Sequence, residues 1–288
     1  MILAPLRGVT IRSFRETFAE VIAAAGFTEA VTPFIAAMKG YDPLKDRELQ
    51  NWSNVDRVKV TPQFIGKDPK ALRDCLEKIR AAGYATADLN CGCPYPMVRR
   101  KGRGSGLLRT PDVLREMLSA GCEAMGPGNF SLKVRLGVER SDELLGLMPL
   151  VNEFPLRHLT VHARTARQMY EGGCDLSMLK KIEQVAKMPV VRNGDIPFPP
   201  PAGDASRVMI GRSFVRHLGA RDDSVDLLLR YIDASRRELC GDAPVLGRMK
   251  ELLSYWKDLR RWHRRWNALK LCRTVDELMA YCRGAAEF

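Results

Sequence analysis

The sequence predicts an α/β fold, namely a (β/α)8 TIM barrel followed by a small C-terminal all-α helical domain. Through about the first 220 residues, short apolar β-rich segments alternate with longer segments of helical period, which is typical of βα units around a parallel sheet. Eight short segments occur, and beyond residue 222 only helical patterns remain. We therefore predict a barrel domain over residues 1–222 and a helical domain over residues 223–288.

The barrel domain is predicted to contain eight strands and five helices. The strands are Ile2–Leu6, Ala30–Ile35, Val58–Ile65, Thr86–Asn90, Asn129–Leu136, His158–His162, Pro189–Arg192 and Arg207–Ile210. Helical periodicity predicts helices near residues 11–25, 69–82, 111–123, 141–153 and 175–187. Residues 38–57 form a polar excursion without a clear period.

The connection between the seventh and eighth strands is shortened. Residues 196–206 read IPFPPPAGDAS, which leaves no room for the helix of a regular barrel, and the four prolines in this stretch forbid one. We predict an extended loop here. It represents either a local deletion that the barrel tolerates or the decay of a cofactor site.

The C-terminal region is predicted to be helical in three segments, residues 223–239, 245–271 and 274–282. Thr274 and Glu277 have the spacing of a capping box for the last helix. Residues 248–273 carry nine Lys or Arg against two acidic residues, and three tryptophans are interleaved with them. We expect only the charges to contact an anionic partner, because Trp256 and Trp266 follow a helical stripe of leucines and are predicted to pack.

The composition is that of a soluble globular protein, since 45% of the 288 residues are apolar and 28% are charged. No apolar run approaches the roughly 18 to 20 residues of a membrane span, and the N-terminal sequence MILAPLRGVT lacks the features of a secretory leader. We therefore expect a cytoplasmic protein without membrane contact. The eight cysteines include no CxxC pair and no zinc-like cluster, so we expect neither a disulfide framework nor a metal.

The chain is basic, with 46 Lys and Arg against 34 Asp and Glu and a formal net charge of +12. Such an excess favours a polyanionic partner, with nucleic acid as the leading class. A charge that serves solubility alone is the other interpretation.

Polar side chains occur at or just beyond the ends of six predicted strands, where a barrel turns them toward one mouth. They are Gln63, Asn90, Lys133, His162, Asn193 and Arg212. The densest pattern is DLNCGCP at residues 88–94, followed by GSGLL at residues 104–108. A cysteine on a proline-kinked turn beyond a strand, such as Cys93, faces the mouth and can give or take a proton. From spacing alone, a buried structural thiol is the alternative, and Cys91 illustrates it.

These segments, in this order, resemble the tRNA-dihydrouridine synthases, a family of flavin-dependent barrel enzymes that reduce a uridine in tRNA. The matching segments are residues 4–10 with Phe14 and Arg15, Gln63, residues 88–94 and 104–108, residues 133–137, residues 162–165 with Gln168 and Tyr170, residues 193–196 and residues 208–212. The resemblance covers most of residues 2–215, and in pattern it is closest to compact bacterial members of the C type.

The resemblance implies FMN as cofactor, NADPH as reductant and tRNA as substrate and partner. It implies that hydride reaches C6 of the uracil while Cys93, as general acid, protonates C5 to give 5,6-dihydrouridine. The implied cofactor contacts are Pro5, Leu6, Gln63, Lys133, His162, Asn193, Gly194, Asp195, Gly211 and Arg212. The implied substrate and tRNA contacts are Asn90, Arg99, Arg100, Lys101, Arg103, Arg135, Arg260, Arg261, Arg264 and Arg265. We expect a monomer.

Two departures from the family pattern leave alternatives open. The family has a basic residue in a GCPxxKV pattern, whereas this chain reads GCPYPMV at residues 92–98, and the cations at residues 99–103 are expected to replace it. The shortened loop is the second departure. One alternative is a flavin-free RNA-binding protein descended from such an enzyme. The other is a flavin oxidoreductase that acts on a small-molecule enone or pyrimidine.

Overall fold

A computed structural model describes residues 1–49, 58–204 and 207–284. Within these ranges, ten parallel strands form one sheet. They are β1 (Ile2–Leu3), β2 (Glu29–Val31), β3 (Ile35–Ala36), β4 (Lys59–Thr61), β5 (Gln63–Ile65), β6 (Ala87–Cys91), β7 (Phe130–Gly137), β8 (Leu159–Thr165), β9 (Val190–Asn193) and β10 (Val208–Ile210). Each coincides with a predicted strand or with half of one, so the predicted barrel is confirmed.

The sheet closes because the second and third predicted strands are each split into two. β2 pairs with β4, and β3 pairs with β5, so the two ends of the strand order belong to the same two barrel strands. Proline lacks a backbone N–H, and Pro62 separates β4 from β5. The ladder is bridged there by Thr32, whose N–H donates to the Thr61 carbonyl at 3.0 Å and whose Oγ1 accepts from the Gln63 N–H at 3.0 Å.

Helices surround the barrel in the described residues. They are α1 (Arg12–Thr17), α2 (Ala19–Ala24), α3 (Pro69–Ala81), α4 (Pro96–Arg99), α5 (Pro111–Met125), α6 (Glu143–Val151), α7 (Leu176–Val185) and α8 (Arg212–Ala220). Side-chain caps explain two helix starts, since the Asp68 and Asp175 carboxylates accept backbone N–H groups at the beginnings of α3 and α7. The short helices α4 and α8 are additions to the predicted set.

Two irregular stretches extend partly beyond the described residues. In the excursion predicted over residues 38–57, a 3-10 turn spans Pro43–Lys45, and residues 50–57 lie outside the description. In the proline-rich connection, residues 196–204 contain no helix, as predicted. Residues 205–206 lie outside the described residues.

The C-terminal region is helical, as predicted. It contains α9 (Ser224–Glu238), α10 (Asp242–Ser254), α11 (Arg260–Leu269) and α12 (Val275–Arg283). The capping box of Thr274 and Glu277 at the start of α12 is confirmed. The predicted segment 245–271 is broken after Ser254, where a turn separates α10 from α11. Residues 285–288 lie outside the description.

The C-terminal helices share a hydrophobic core with the barrel. The Trp256 indole N–H donates to the Val215 carbonyl at 2.7 Å, and the Trp262 indole N–H donates to the Gly219 carbonyl at 2.9 Å, both on α8. Both indoles are almost fully buried, so neither stacks on an RNA base. The division into domains 1–222 and 223–288 stays a prediction. Among the described helices, none combines the length and apolar character required to span a membrane.

Candidate active site

Two adjoining cavities open at the carboxyl ends of the barrel strands. The large mouth cavity measures about 540 Å3 and the cysteine cavity about 270 Å3. Residues that line both are Pro5, Leu6, Lys133, His162, Tyr170, Arg212 and Tyr255. The cavities therefore form one continuous site with a common wall.

The structure brings most of the predicted site residues together here. The large mouth cavity is lined by nine of the ten predicted cofactor contacts, namely Pro5, Leu6, Lys133, His162, Asn193, Gly194, Asp195, Gly211 and Arg212. The tenth, Gln63, lines the cysteine cavity together with Asn90, Cys93 and Arg135. The placement follows from strand alternation, which turns polar residues at strand ends into the mouth.

A chain of buried hydrogen bonds runs through the barrel to the cysteine. The Asp88 carboxylate accepts from Gln63 Nε2 at 2.7 Å, and Gln63 Oε1 accepts from Asn90 Nδ2 at 2.7 Å. Asn90 Oδ1 then accepts from the Cys93 N–H at 2.9 Å. Ser131 Oγ also donates to Asp88, at 2.7 Å. Both amide side chains are thus held in one orientation, and burial raises the pKa of Asp88 to about 7.

The surroundings of Cys93 keep its side chain a protonated thiol. Burial raises its pKa above the ordinary value for cysteine, and the Tyr95 N–H and the cations Arg7 and Arg135 offset part of that rise. Arg135 itself is buried and donates to the Gly92 carbonyl at 3.0 Å, next to the cysteine. At neutral pH the side chain therefore carries the proton that a general acid gives up.

Arg135 lines the cavity and donates hydrogen bonds to three backbone carbonyls. Besides Gly92, it donates to the carbonyls of Thr165 at 2.9 Å and Met169 at 2.6 Å. It therefore ties the cysteine turn to the loop after β8. The sequence predicted Arg135 as a substrate or tRNA contact, and its place in the wall of the cysteine cavity leaves that a prediction.

Lys133 projects from β7 into both cavities and is oriented by Asn193. Its Nζ donates to Asn193 Oδ1 at 3.0 Å, while Asn193 Nδ2 donates to the Met209 carbonyl at 2.8 Å. Burial, with a smaller effect of Arg135, lowers the pKa of Lys133 to about 8. The amine thus remains a fixed cation at neutral pH.

His162 is a neutral imidazole. Burial, together with the positive charges of Lys133, Arg135 and Arg164, lowers its pKa far below the ordinary value. Its Nε2 lies 3.3 Å from Arg164 Nη1, which can only donate, so Nε2 accepts and the ring proton is on Nδ1.

The strand-end loop after β9 is held by two arginines that converge on Asp195. Buried Arg164 binds both carboxylate oxygens of Asp195, and Arg212 approaches one of them at 3.3 Å. Gly194 precedes it with a φ of +104°, and a Cβ there would lie 2.7 Å from the His162 ring. This loop therefore requires glycine, because the His162 and Cys174 side chains pack directly against it.

Sequence reasoning assigned no role to three residues that shape the site. Arg164 was missed because the strand was predicted to end at His162, whereas β8 continues to Thr165 with the same alternation. Tyr170 lies between two guanidinium groups, with the Arg212 and Arg135 carbons 4.8 and 5.4 Å from its ring centre. Tyr255 follows α10 and reaches the mouth only through tertiary packing, so no local pattern identifies it.

The structure does not bring the remaining predicted basic residues into the mouth. Arg99, Arg100, Lys101 and Arg103 lie on and after α4, outside both cavities. Arg260, Arg261, Arg264 and Arg265 line a separate arginine cavity of about 650 Å3, at the C-terminal end of α8. Since α8 has nine residues, this cavity lies about 13 Å along the helix from Arg212.

The four arginines of this arginine cavity differ in their partners. Arg261 donates to the Asp222 carbonyl at 3.0 Å, and Arg265 donates to the Gly284 carbonyl at 2.9 Å. Arg260 and Arg264 are exposed, and neither side chain bonds to any residue in the described part of the chain. Arg260 and Arg264 are therefore the cations left available for an anionic partner.

Most of the sequence matches the model of one protein family. A family model described as Dihydrouridine synthase (Dus) matches residues 2–214, about three quarters of the sequence. The chain belongs to the dihydrouridine synthase family. The resemblance derived from the strand-end segments is therefore confirmed, and the match covers both mouth cavities except for the wall that the C-terminal helices add.

Two curated relatives of this chain are B-type proteins from bacteria. The tRNA-dihydrouridine synthase B of Vibrio vulnificus strain CMCP6 is 29% identical over 219 residues, which cover 74% of this chain and 66% of that protein. The tRNA-dihydrouridine synthase B of Escherichia coli K12 is 30% identical over 224 residues, with coverage of 74% and 67%. The chain thus matches about two thirds of the length of these relatives. Both are B-type proteins, so the predicted likeness to the C type stays a prediction.

Solved structures share the barrel fold. The old yellow enzyme homologue from Zymomonas mobilis aligns with a TM-score of 0.53 at 13% identity, covering 75% of this chain and 85% of that one. Morphinone reductase aligns with a TM-score of 0.52 at 12% identity, covering 75% and 82%. At such identities the likeness concerns the fold alone.

Proposed function

We propose that the protein reduces a uridine of tRNA to 5,6-dihydrouridine, with FMN in the large mouth cavity, NADPH as reductant and Cys93 as general acid. The observation that carries this proposal is a protonated, buried thiol in a cavity that adjoins a larger one lined by a fixed cation and a neutral imidazole. A monomeric enzyme in the cytoplasm, with tRNA as partner, is part of the same proposal.

The residues of the large mouth cavity fit FMN in shape and chemistry. The cavity of about 540 Å3 is of the size that small-molecule cofactors occupy, and His162 is fixed in its wall against Gly194. Arg212 and Ser213 begin α8 at the cavity, where unpaired helix N–H groups and a guanidinium favour a phosphate. Lys133 would face the flavin ring and Gln63 its edge. The flavin, when bound, supplies a hydride for C6 of the uracil.

Cys93 completes the reduction by giving its Sγ proton to C5. The C5–C6 double bond then becomes a single bond, with one hydrogen from hydride and one from the thiol, and the sulfur is left as a thiolate. Arg7, Arg135 and Lys133 each act to lower the pKa of Cys93, so they stabilise that thiolate until solvent reprotonates it. Asn90, fixed by Gln63, holds the cysteine backbone and lines the same cavity, where it is placed to meet the uracil edge.

The decisive experiment is the visible absorption spectrum of the purified protein under anaerobic conditions. We expect a flavin spectrum that bleaches with NADPH and returns when unmodified tRNA is added, with dihydrouridine formed in equal amount. Protein that is folded in excess FMN and binds none of it would support the flavin-free RNA-binding alternative. Reoxidation by a small enone or free pyrimidine, but not by tRNA, would support the small-molecule oxidoreductase.

A further inference from the structure

The turn that follows the cysteine exposes two large apolar side chains beside the cysteine cavity. Tyr95 is 48% exposed and lines that cavity, and Met97, two residues later in α4, is 78% exposed. Met97 has the greatest exposure of any large apolar side chain in the described ranges. We call Tyr95 and Met97 the apolar face. Tyr95 lies in the wall of the cavity and Met97 two residues beyond it, so both side chains are accessible to a substrate that enters there.

The apolar face is held on a rigid backbone. The Tyr95 carbonyl accepts from the N–H groups of Val98 and Arg99, each at 3.0 Å, and Pro96 pre-forms the first turn of α4. Ser105 Oγ donates to the Cys93 carbonyl at 2.9 Å. A Cβ on Gly106 would lie 2.5 Å from the Arg99 carbonyl oxygen, so the GSG segment must pass directly against this turn.

Unpaired cations adjoin the apolar face and indicate what covers it. Arg99, Arg100 and Lys101 follow Met97, and among the described residues none of these three side chains has a hydrogen-bonding or ion-pair partner. A surface that joins apolar groups to unpaired cations complements nucleic acid, whose bases are flat and apolar and whose backbone is anionic.

We propose that Tyr95 and Met97 contact the bases next to the target uridine, in the gap that opens when that uridine enters the cysteine cavity. Arg99, Arg100 and Lys101 bind the phosphates on the same stretch. Removing a base from its stack costs free energy, and inserted apolar side chains offset that cost by replacing the lost stacking. The inference rests on the proposed function, since it takes tRNA as the partner.

The test compares Tyr95→Ala, Met97→Ala and Tyr95→Phe with the control Val185→Ala in flavin-loaded protein. Val185 is 44% exposed and ends α7, remote from both mouth cavities. We expect kcat/KM for unmodified tRNA to fall about 5- to 100-fold in the two alanine variants, as for lost base stacking. Tyr95→Phe keeps the ring and should retain turnover. Flavin reduction by NADPH without RNA should be unchanged in Met97→Ala, which lines neither cavity.

Salt dependence separates base contacts from phosphate contacts. The alanine variants should keep the wild-type slope of log affinity for tRNA against log salt concentration. The triple variant Arg99→Gln, Arg100→Gln, Lys101→Gln should lower that slope by about 2 to 3. Tyr95→Ala and Met97→Ala variants that match Val185→Ala in both turnover and tRNA affinity would overturn the inference.

Failure of the proposed function gives a different result. Wild-type protein would then form no dihydrouridine, and the apolar face would be judged by the affinity for unmodified tRNA alone. An affinity that falls in both alanine variants supports the face as an RNA contact even so. Wild-type protein without measurable tRNA affinity at low salt overturns both proposals.

Discussion

The two mouth cavities adjoin each other but are built by different means. In the cysteine cavity, the chain from Asp88 through Gln63 to Asn90 is buried within neighbouring barrel strands. In the large mouth cavity, Asp195 and Arg212 have side chains that are 45% and 39% exposed, and they belong to a loop and to the start of α8. We call the cysteine cavity the closed end, because its hydrogen bonds are buried. We call the large mouth cavity the open end, because its charged side chains are partly exposed.

The contrast explains why the shortened connection before β10 is tolerated. Buried hydrogen bonds between strands depend on the barrel itself, and an unpaired member would carry a large desolvation cost. The pair of Arg212 with Asp195 at the open end is partly exposed and contributes little to stability, so a change of backbone beside it costs less than a change within the buried network. The C-terminal helices then contribute Ser254, Tyr255 and Asp258 to the wall of the large mouth cavity.

The largest effect is expected at the closed end, from Cys93→Ala. Loss of the general acid should lower dihydrouridine formation about 10²- to 10⁴-fold, because no other thiol lines the cavity among the described residues. Rapid-mixing measurements should show unchanged flavin reduction by NADPH. Cys91→Ala is the control, since Cys91 is fully buried and lines neither cavity. An equal loss of dihydrouridine formation in the two variants would contradict the assignment of Cys93 as the general acid.

At the open end, Arg212→Ala should weaken FMN binding about 10-fold, as expected for one charge-assisted hydrogen bond discounted for exposure. Fluorescence titration of the apoprotein with FMN measures this. Arg236→Ala is a matched control, because its side chain has the same 39% exposure and pairs with Asp276 on the C-terminal helices. An unchanged FMN affinity in Arg212→Ala would mean that the phosphate lies elsewhere.

The arginine cavity offers a smaller effect that depends on salt. The double variant Arg260→Gln, Arg264→Gln should reduce the magnitude of the slope of log tRNA affinity against log salt concentration by about 1 to 2. Each phosphate that the protein neutralises contributes slightly less than one to that slope. The double variant Arg73→Gln, Arg115→Gln removes the same charge from ion-paired sites on α3 and α5. If both double variants change the slope equally, only net charge matters and the arginine cavity is not a docking site.

A separate prediction concerns the pH dependence of stability at Asp88. Its pKa is about 7 in the folded protein, above the unfolded value of about 4, so the native state binds the proton more tightly. The stability contribution is present below about pH 4 and is lost as the pH rises toward 7, by up to about 1.4 kcal/mol per pH unit. Urea unfolding of the apoprotein at pH 5 and pH 7 should show this loss in the wild type.

The variant Asp88→Asn removes that titration. Its free energy of unfolding should fall less between pH 5 and pH 7 than that of the wild type. Both proteins are measured without flavin, so that cofactor binding adds nothing to stability. Parallel pH profiles would show that Asp88 titrates near its ordinary value, and the closed end would then lack the desolvated carboxyl that distinguishes it.

Much of the cysteine cavity was predictable from sequence. The strand β6 was predicted to end at Asn90 and ends one residue later, at Cys91, and Cys93 follows on a proline-kinked turn. The orientation of the Gln63 amide was not predictable, because it depends on Asp88 of the neighbouring strand. Trp262 lay outside the predicted packing stripe and is nevertheless buried, since its partner Gly219 belongs to α8, which the sequence did not predict.

The amino-acid sequence by itself determined the order of the barrel strands and of the longer helices between them, the polar residues at the strand ends and the helix-free proline-rich loop. These features are local, because side-chain alternation and the missing proline N–H act within a few residues. Only the tertiary structure decided that Tyr255 shares a cavity wall with Lys133, and that Arg260 lies away from the mouth. Those positions follow from the burial of Trp256 and Trp262 against α8, a contact between segments some 40 residues apart.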